Sequence, residues 1–281
     1  MLWALLVFAV LLSLPACIGY LIFYYESAND GHAEDVRRRH GPPLRCMVLA
    51  GLRSMAGMFA ILASSLLYYL RILRPSRWPR RTEGTPVILV HGLYHNETGW
   101  LLFQRRLQAA GLPDIRVYSY NGWSGRPGDL VDDLASRVER VFEERGRPVA
   151  LAGHSLGGLL IRGCLRRPEL RGKICCVATM GTPAEGSRLA VLGPGPLAAR
   201  IVQSSPEVAE LAGEQAFEAP ALALASDLDD MVLPFSSLTA AQHPGWRLEL
   251  SRPVSHITML YDADCFRRVL DFWIECGVER A

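Results

Sequence analysis

Gly153-His154-Ser155-Leu156-Gly157 decides the reading of this chain. It follows an apolar run, residues 148–151, with the composition of a buried strand, and it precedes a stretch with the pattern of a helix. A serine on so tight a strand-to-helix turn is a nucleophile elbow, with a strained backbone and a hydroxyl pushed out above a sheet. The flanking Gly153 and Gly157, helped by Gly158, keep side chains out of the neighbouring strand and helix. A pentapeptide is short, so its weight depends on what surrounds it.

Upstream, Pro86-Val87-Ile88-Leu89-Val90 is an apolar, β-branched run of the kind a strand buried on both faces requires, and it ends in His91-Gly92-Leu93-Tyr94. A strand ending in His-Gly ahead of a Gly-x-Ser-x-Gly elbow resembles the layout of an α/β-hydrolase, and that resemblance implies that the loop after the early strand gives one backbone N–H to an oxyanion hole. The residue after the nucleophile gives the other. The expected donors are therefore Leu93 and Leu156.

A serine hydroxyl is a weak nucleophile and needs a base, which in turn needs an orienting acid. The chain order Ser, acid, His is available here. Residues 221–225 form a strand candidate running into Ser226-Asp227-Leu228-Asp229-Asp230, and residues 246–250 form another that leads to Val254-Ser255-His256-Ile257. His256 is the expected base. Asp229 and Asp230 both remain candidates for the acid on position alone.

Val-His-Gly-Leu-Tyr, Gly-His-Ser-Leu-Gly-Gly, Met180-Gly181-Thr182-Pro183 with Gly186-Ser187, the acidic loop and Val-Ser-His-Ile together resemble the bacterial lipase and esterase branch of the α/β-hydrolase superfamily, over residues 84–275. The Ser204-Ser205-Pro206 segment running to Glu210-Leu211 is similar to one that precedes a short helix in those lipases. In related small lipases the acid has a serine three residues before it and a valine three after; Ser226, Asp229 and Val232 repeat that spacing, so the resemblance favours Asp229 over Asp230. It departs at Ala184, where the family often has His, which bears on substrate more than on chemistry. The implied chemistry is acyl transfer through Ser155, His256 and Asp229, with no metal and no organic cofactor. The implied substrate is a carboxylic ester, with a lipid-like one expected from an insertion over residues 184–215 that is poor in charge at its centre and would serve as a mobile cover. An acyltransferase, a thioesterase or a non-catalytic binding module built on the same frame would share these features.

Other histidines have plainer readings. His91 and His154 read as packing residues of the motif; His91 and His95 lie four apart on a glycine-containing loop, a poor metal pair. His32, His40 and His243 read as solvated loop residues, and the Asn96-Glu97-Thr98 sequon as coincidental.

Residues 82–281 are enough for one α/β domain. Strand candidates at 87–90, 115–118, 149–151, 173–180, 221–225 and 246–250 alternate with helical stretches at 100–110, 130–144, 156–166 and 258–275. That alternation predicts a mostly parallel sheet with helices on both faces. Residues 1–81 are different material. Residues 1–25 carry no charge and residues 46–70 only Arg53, each long enough to cross a bilayer of about 30 Å. The expectation is an N-terminal transmembrane helical hairpin, with residues 26–45 as its polar turn and Tyr24, Tyr25, Tyr68, Tyr69 and Trp78 at the headgroup level. A cleaved signal peptide lacks its basic start here, and Leu14-Pro15-Ala16-Cys17 is followed by too apolar a stretch for a lipoprotein. For the second segment, Arg53 leaves open a helix packed on the α/β domain.

Ten of the thirty basic residues precede Thr82, and Arg71, Arg74, Arg77, Arg80 and Arg81 follow the second segment. By the positive-inside rule this places the α/β domain on the cytoplasmic side of a bacterial inner membrane. Seven cysteines, an odd count, suit a reducing compartment. The basic run is confined to a membrane flank, which excludes nucleic acid as a partner and points to membrane lipid.

Overall fold

The computed structural model describes residues 2–73, 83–213, 217–239 and 245–281. Arg74, Arg77, Trp78, Arg80, Arg81, His243 and the last two residues of the expected insertion lie outside them.

The chain opens with three helices, α1 (Leu2–Asp30), α2 (His32–His40) and α3 (Pro43–Tyr69). The α/β body follows as β1 (Val87–Val90), α4 (Leu101–Ala109), β2 (Ile115–Tyr118), α5 (Pro127–Arg145), β3 (Val149–His154), α6 (Leu156–Leu165) and β4 (Ile174–Met180). It continues with α7 (Pro196–Ala199), α8 (Pro206–Ala212), β5 (Ala221–Ala225), α9 (Ser236–Thr239), β6 (Trp246–Leu250) and α10 (Ala263–Glu275). The six strands form one sheet in the order β2-β1-β3-β4-β5-β6, parallel at every pairing.

Alternation along each strand explains the layers. Ile88, Val90, Leu151 and Val177 face the helices α5 and α6, packing with Leu134, Val138, Leu159 and Leu160. Val87, Leu89, Ala150 and Ala178 face the other way, toward Phe103, Leu107, Val269 and Trp273 of α4 and α10. Strands buried on both faces need nearly continuous apolar runs, and these strands have them. The chain leaves β1 for β2 on one side and reaches β3 on the other, so the loops after β1 and β3 diverge at a topological switch point, where open α/β sheets bind ligands.

Four expectations change in the structure. The helix expected over 258–275 is a 3-10 turn, Ile257–Leu260, followed by α10, because the Asp262 side chain accepts from the N–H groups of Asp264 and Cys265 and starts a new helix there. The polar turn expected over 26–45 is mostly helical, made of the end of α1, the whole of α2 and the start of α3. Its His32 is a correction: it is buried, stacked on Phe235 at 3.8 Å, and its Nε2 bonds the carbonyl of Asp227 at 2.9 Å. His40 is likewise not a solvated loop residue, since its Nε2 lies 2.8 Å from Asp227 Oδ2.

Among the described residues one helix, Pro43–Tyr69, is long and apolar enough to cross a membrane by length and composition. The helices do not stand apart from the α/β body. Tyr20, Phe23, Val36, Met47 and Ala50 form an apolar cluster with Leu228 and Leu233 of the loop after β5. Leu21, Tyr25, Leu44, Leu52, Leu66 and Tyr69 face outward, each more than half exposed, and Arg53 shares that outer face.

Candidate active site

The elbow forms as the motif requires. Ser155 joins β3 to α6 with φ +55° and ψ −125°, a region that L-residues rarely adopt and that marks strain held by its surroundings. A Cβ on Gly157 would fall 2.2 Å from the carbonyl oxygen of Val90, so the helix can approach β1 only with glycine there. The Ser155 N–H donates to the Met180 carbonyl at 2.9 Å, which ties the strained residue to the next strand.

His256 lies on the loop after β6. Its Nδ1 is 2.7 Å from Asp229 Oδ2, and a carboxylate accepts only, so Nδ1 carries the proton and Nε2 is left bare. The other oxygen of Asp229 accepts from the N–H groups of Met231 and Val232 at 3.0 and 2.9 Å. Burial opposes charge on His256, but the charge and hydrogen bond of Asp229, with the charge of Asp230, outweigh it and hold the imidazole above its usual 6.5. Among the described residues no hydrogen bond joins Ser155 Oγ to His256. Such contacts are often open in ligand-free sites.

Asp230 does something else. Its Oδ1 accepts the backbone N–H of His256 at 3.0 Å, and its Oδ2 accepts the hydroxyl of Ser54 at 3.0 Å. The carbonyl of His256 is held from the opposite side by Nε2 of His154 at 3.0 Å. That bond fixes the proton of His154 on Nε2. Its ring is kept neutral by burial and by the nearby imidazoles of His256 and His95, which push its pKa well below 6.5.

On the other flank, the loop after β1 carries Leu93. Neither its N–H nor that of Leu156, at the first position of α6, has a backbone acceptor among the described residues, as oxyanion donors require. His91 supports this loop. Its Nδ1 donates to the Gly92 carbonyl at 2.9 Å, its Nε2 accepts from the Tyr120 N–H at 3.3 Å, and its ring stacks on Tyr120. Burial pushes that imidazole down to about 4, so it stays neutral. Asn96 caps the 3-10 turn that follows and is buried.

Sequence reasoning missed Tyr94. It sits at φ +59°, packs on Trp123, and donates its hydroxyl to the Pro194 carbonyl at 2.6 Å. The insertion after β4 is thereby latched onto the loop that carries Leu93. Within it Arg188–Leu192 is a 3-10 turn, and Val191 and Leu192 are 70% and 63% exposed. A surface cavity of about 710 Å³ lined by His40, Asp227, Arg252 and Arg268 lies elsewhere and contains neither Ser155 nor His256. Among the described residues no group of His, Cys, Asp and Glu is placed to hold a metal ion.

Residues 87–279 match the family model described as alpha/beta hydrolase family. No curated protein sequence matches the chain. Among solved structures, a membrane phospholipase A described as a bacterial virulence factor is 18% identical with a TM-score of 0.53, covering 83% of this chain and 98% of its own. The mature lipase BlEst2 of Bacillus licheniformis is 17% identical at TM-score 0.53, covering 73% and 96%. Est1E from Butyrivibrio proteoclasticus is 17% identical at TM-score 0.53, covering 72% and 91%. At such identities the likeness is one of fold. Coverage of 83% exceeds the share contributed by residues 83–281, so the likeness to the phospholipase extends into the helical segment.

Proposed function

The chain belongs to the alpha/beta hydrolase family, and on that premise we propose that it is a membrane-anchored serine hydrolase that cleaves carboxylic esters of lipid-like substrates. The observation that carries this reading is the 2.7 Å bond between His256 Nδ1 and Asp229 Oδ2, on a loop pinned to His154, the residue next to the strained Ser155.

In the proposed reaction Ser155 Oγ bonds to the ester carbonyl carbon while Nε2 of His256 takes its proton. The N–H groups of Leu93 and Leu156 receive the oxyanion. As the tetrahedral intermediate collapses, the bond to the alcohol oxygen breaks and the imidazolium gives its proton to the departing alcohol. Water, deprotonated by His256, then attacks the acyl-enzyme and releases the acid and Ser155. Asp229 holds the tautomer throughout.

The lipid part of the proposal rests on the outward apolar faces of α1 and α3 and on Val191 and Leu192 beside the Tyr94 latch. Outward leucines and tyrosines on two neighbouring helices suit the acyl boundary of a membrane. We place the α/β body on the cytoplasmic side, following the arginines after α3. Labelling by a fluorophosphonate probe tests the serine chemistry. A chain-length series of esters, with and without liposomes, tests the substrate class, and preference for acetyl esters with no liposome activation would overturn the lipid reading.

A further inference from the structure

The small residues of α3 do not fit a simple anchor. Ser54 and Gly57 are buried in a helix whose other faces carry Leu, Phe and Tyr. The Ser54 hydroxyl donates to Asp230. A Cβ on Gly57 would meet the Ile257 side chain at 3.0 Å, so the helix packs closely on the residue after His256. About two turns further on, Ser64 accepts from the Thr98 hydroxyl at 3.1 Å and Ser65 from Asn96 Nδ2 at 3.0 Å, both on the loop that begins at Leu93. One helix therefore touches the acid loop, the histidine loop and the oxyanion loop.

Resting on the serine hydrolase reading above, we infer that α3 is a positioning element of the active site, and that Ser54 and Asp230 are positioning residues that hold His256 by its backbone N–H. Asp229 sets the proton and plane of the ring, while Asp230 sets where the ring is. Through Asp230 that placement is referred to α3 as well as, through His154, to β3. A shift of α3 by the length of a hydrogen bond either releases Asp230 Oδ2 or drags the His256 peptide with it. The helix that meets the membrane is thus the one against which the base is aligned.

The test uses full-length protein in detergent micelles, comparing wild type with Asp230→Ala, Asp230→Asn and Ser54→Ala, each checked for a wild-type circular dichroism spectrum. Asp230→Ala should lower kcat about 10- to 100-fold, as expected for loss of one charge-assisted hydrogen bond, with KM little changed. Ser54→Ala should lower kcat about 3- to 10-fold, less than Asp230→Ala because it leaves the bond from the His256 N–H to Asp230 in place. Asp230→Asn can still accept from the His256 N–H and donate to Ser54, so it should recover most of what Asp230→Ala loses. If Asp230→Ala does not fold, the kcat of Ser54→Ala and of Asp230→Asn decides. Folded Ser54→Ala and Asp230→Ala with kcat within twofold of wild type would overturn the inference, and so would Asp230→Asn being as impaired as Asp230→Ala. Fluorophosphonate labelling of wild type is measured alongside; its absence would instead sink the serine hydrolase reading.

Discussion

The nucleophile elbow and the acid loop leave the sheet two strands apart, and they are built in opposite ways. The elbow is supported by its immediate surroundings: glycine at the contact with β1, a backbone bond to β4 and the helix that starts at Leu156. The loop over residues 227–230 is supported from almost two hundred residues away. Tyr20 donates to the Leu228 carbonyl at 3.0 Å, His32 and His40 bond Asp227, and Ser54 bonds Asp230. A short motif can specify the first kind of construction. The second depends on a contact between distant segments, so it can be moved by whatever moves the helices.

The largest effect tests the elbow. Ser155→Ala removes the hydroxyl and none of the supports, since those act through the backbone. Fluorophosphonate labelling and ester hydrolysis should both disappear, with thermal unfolding unchanged within a degree or two. Full-stoichiometry labelling of the variant would remove Ser155 from the reaction and leave the comparison without its chemical half.

Next comes the division of labour between two adjacent carboxylates. Asp229→Asn leaves a side chain that can donate where His256 Nδ1 also donates, which favours the wrong tautomer; kcat should fall by roughly 10³- to 10⁴-fold. Asp230→Asn should cost less than about tenfold, since the amide preserves both hydrogen bonds. The reverse order of losses would give the orienting role to Asp230.

A smaller effect is the pH dependence. His256 must be neutral to accept a proton, so kcat/KM should fall on the acid side with an apparent pKa above 6.5, the direction in which the two carboxylates hold the imidazole. Asp230→Asn removes one negative neighbour, makes the imidazolium less favourable, and should move this limb to lower pH. Stability gives an independent reading. Burial, with the charge of Asp229, raises Asp230 from 3.8 to about 6, so between those values the folded protein binds the proton that the unfolded chain has released. The contribution of this group to stability therefore falls as pH rises through that window. Denaturation of wild type minus Asp230→Asn at pH 4.5 and 6.5 measures it, and a difference that grows in favour of wild type with rising pH would be wrong in sign.

The same contrast explains what could be read from the sequence. Apolar runs at 87–90 and 221–225 coincide with β1 and β5, because a strand buried on both faces leaves little compositional freedom. Ser155, His256 and the candidate acids stood out because each follows a recognisable strand within a few residues. Ser54 did not, although the signal was present: Ala50, Ser54, Gly57 and Ser64 recur near the helical period among large apolar residues, as a close-packed face would demand. Arg53 leaves open a helix packed on the α/β domain, but hydropathy does not say which face would pack or which loop it would meet. His32 and His40 were misread for a related reason, since a polar, charged segment looks solvated until its partner, the buried Asp227, is known. Tyr94 carried no signal, because its partner is a backbone carbonyl a hundred residues away.

The smallest predicted effect probes the outside support at a point that touches neither carboxylate. Tyr20→Phe deletes one hydroxyl from α1 and leaves the ring in its place between Phe23 and the acid loop. The Leu228 carbonyl then loses its donor in a site that Tyr20 and Leu228 both bury. The cost should be about 1 kcal/mol of stability, the net worth of a typical intramolecular hydrogen bond. If the helices hold the acid loop in place, kcat should drop a few-fold with it, because Leu228 is next to Asp229. If they are only an attached anchor, stability alone should fall. Chemical denaturation paired with kcat on the same preparation distinguishes the two: a loss of stability with kcat unchanged would show that the loop keeps its shape without α1, and would confine the outside support to α2 and α3.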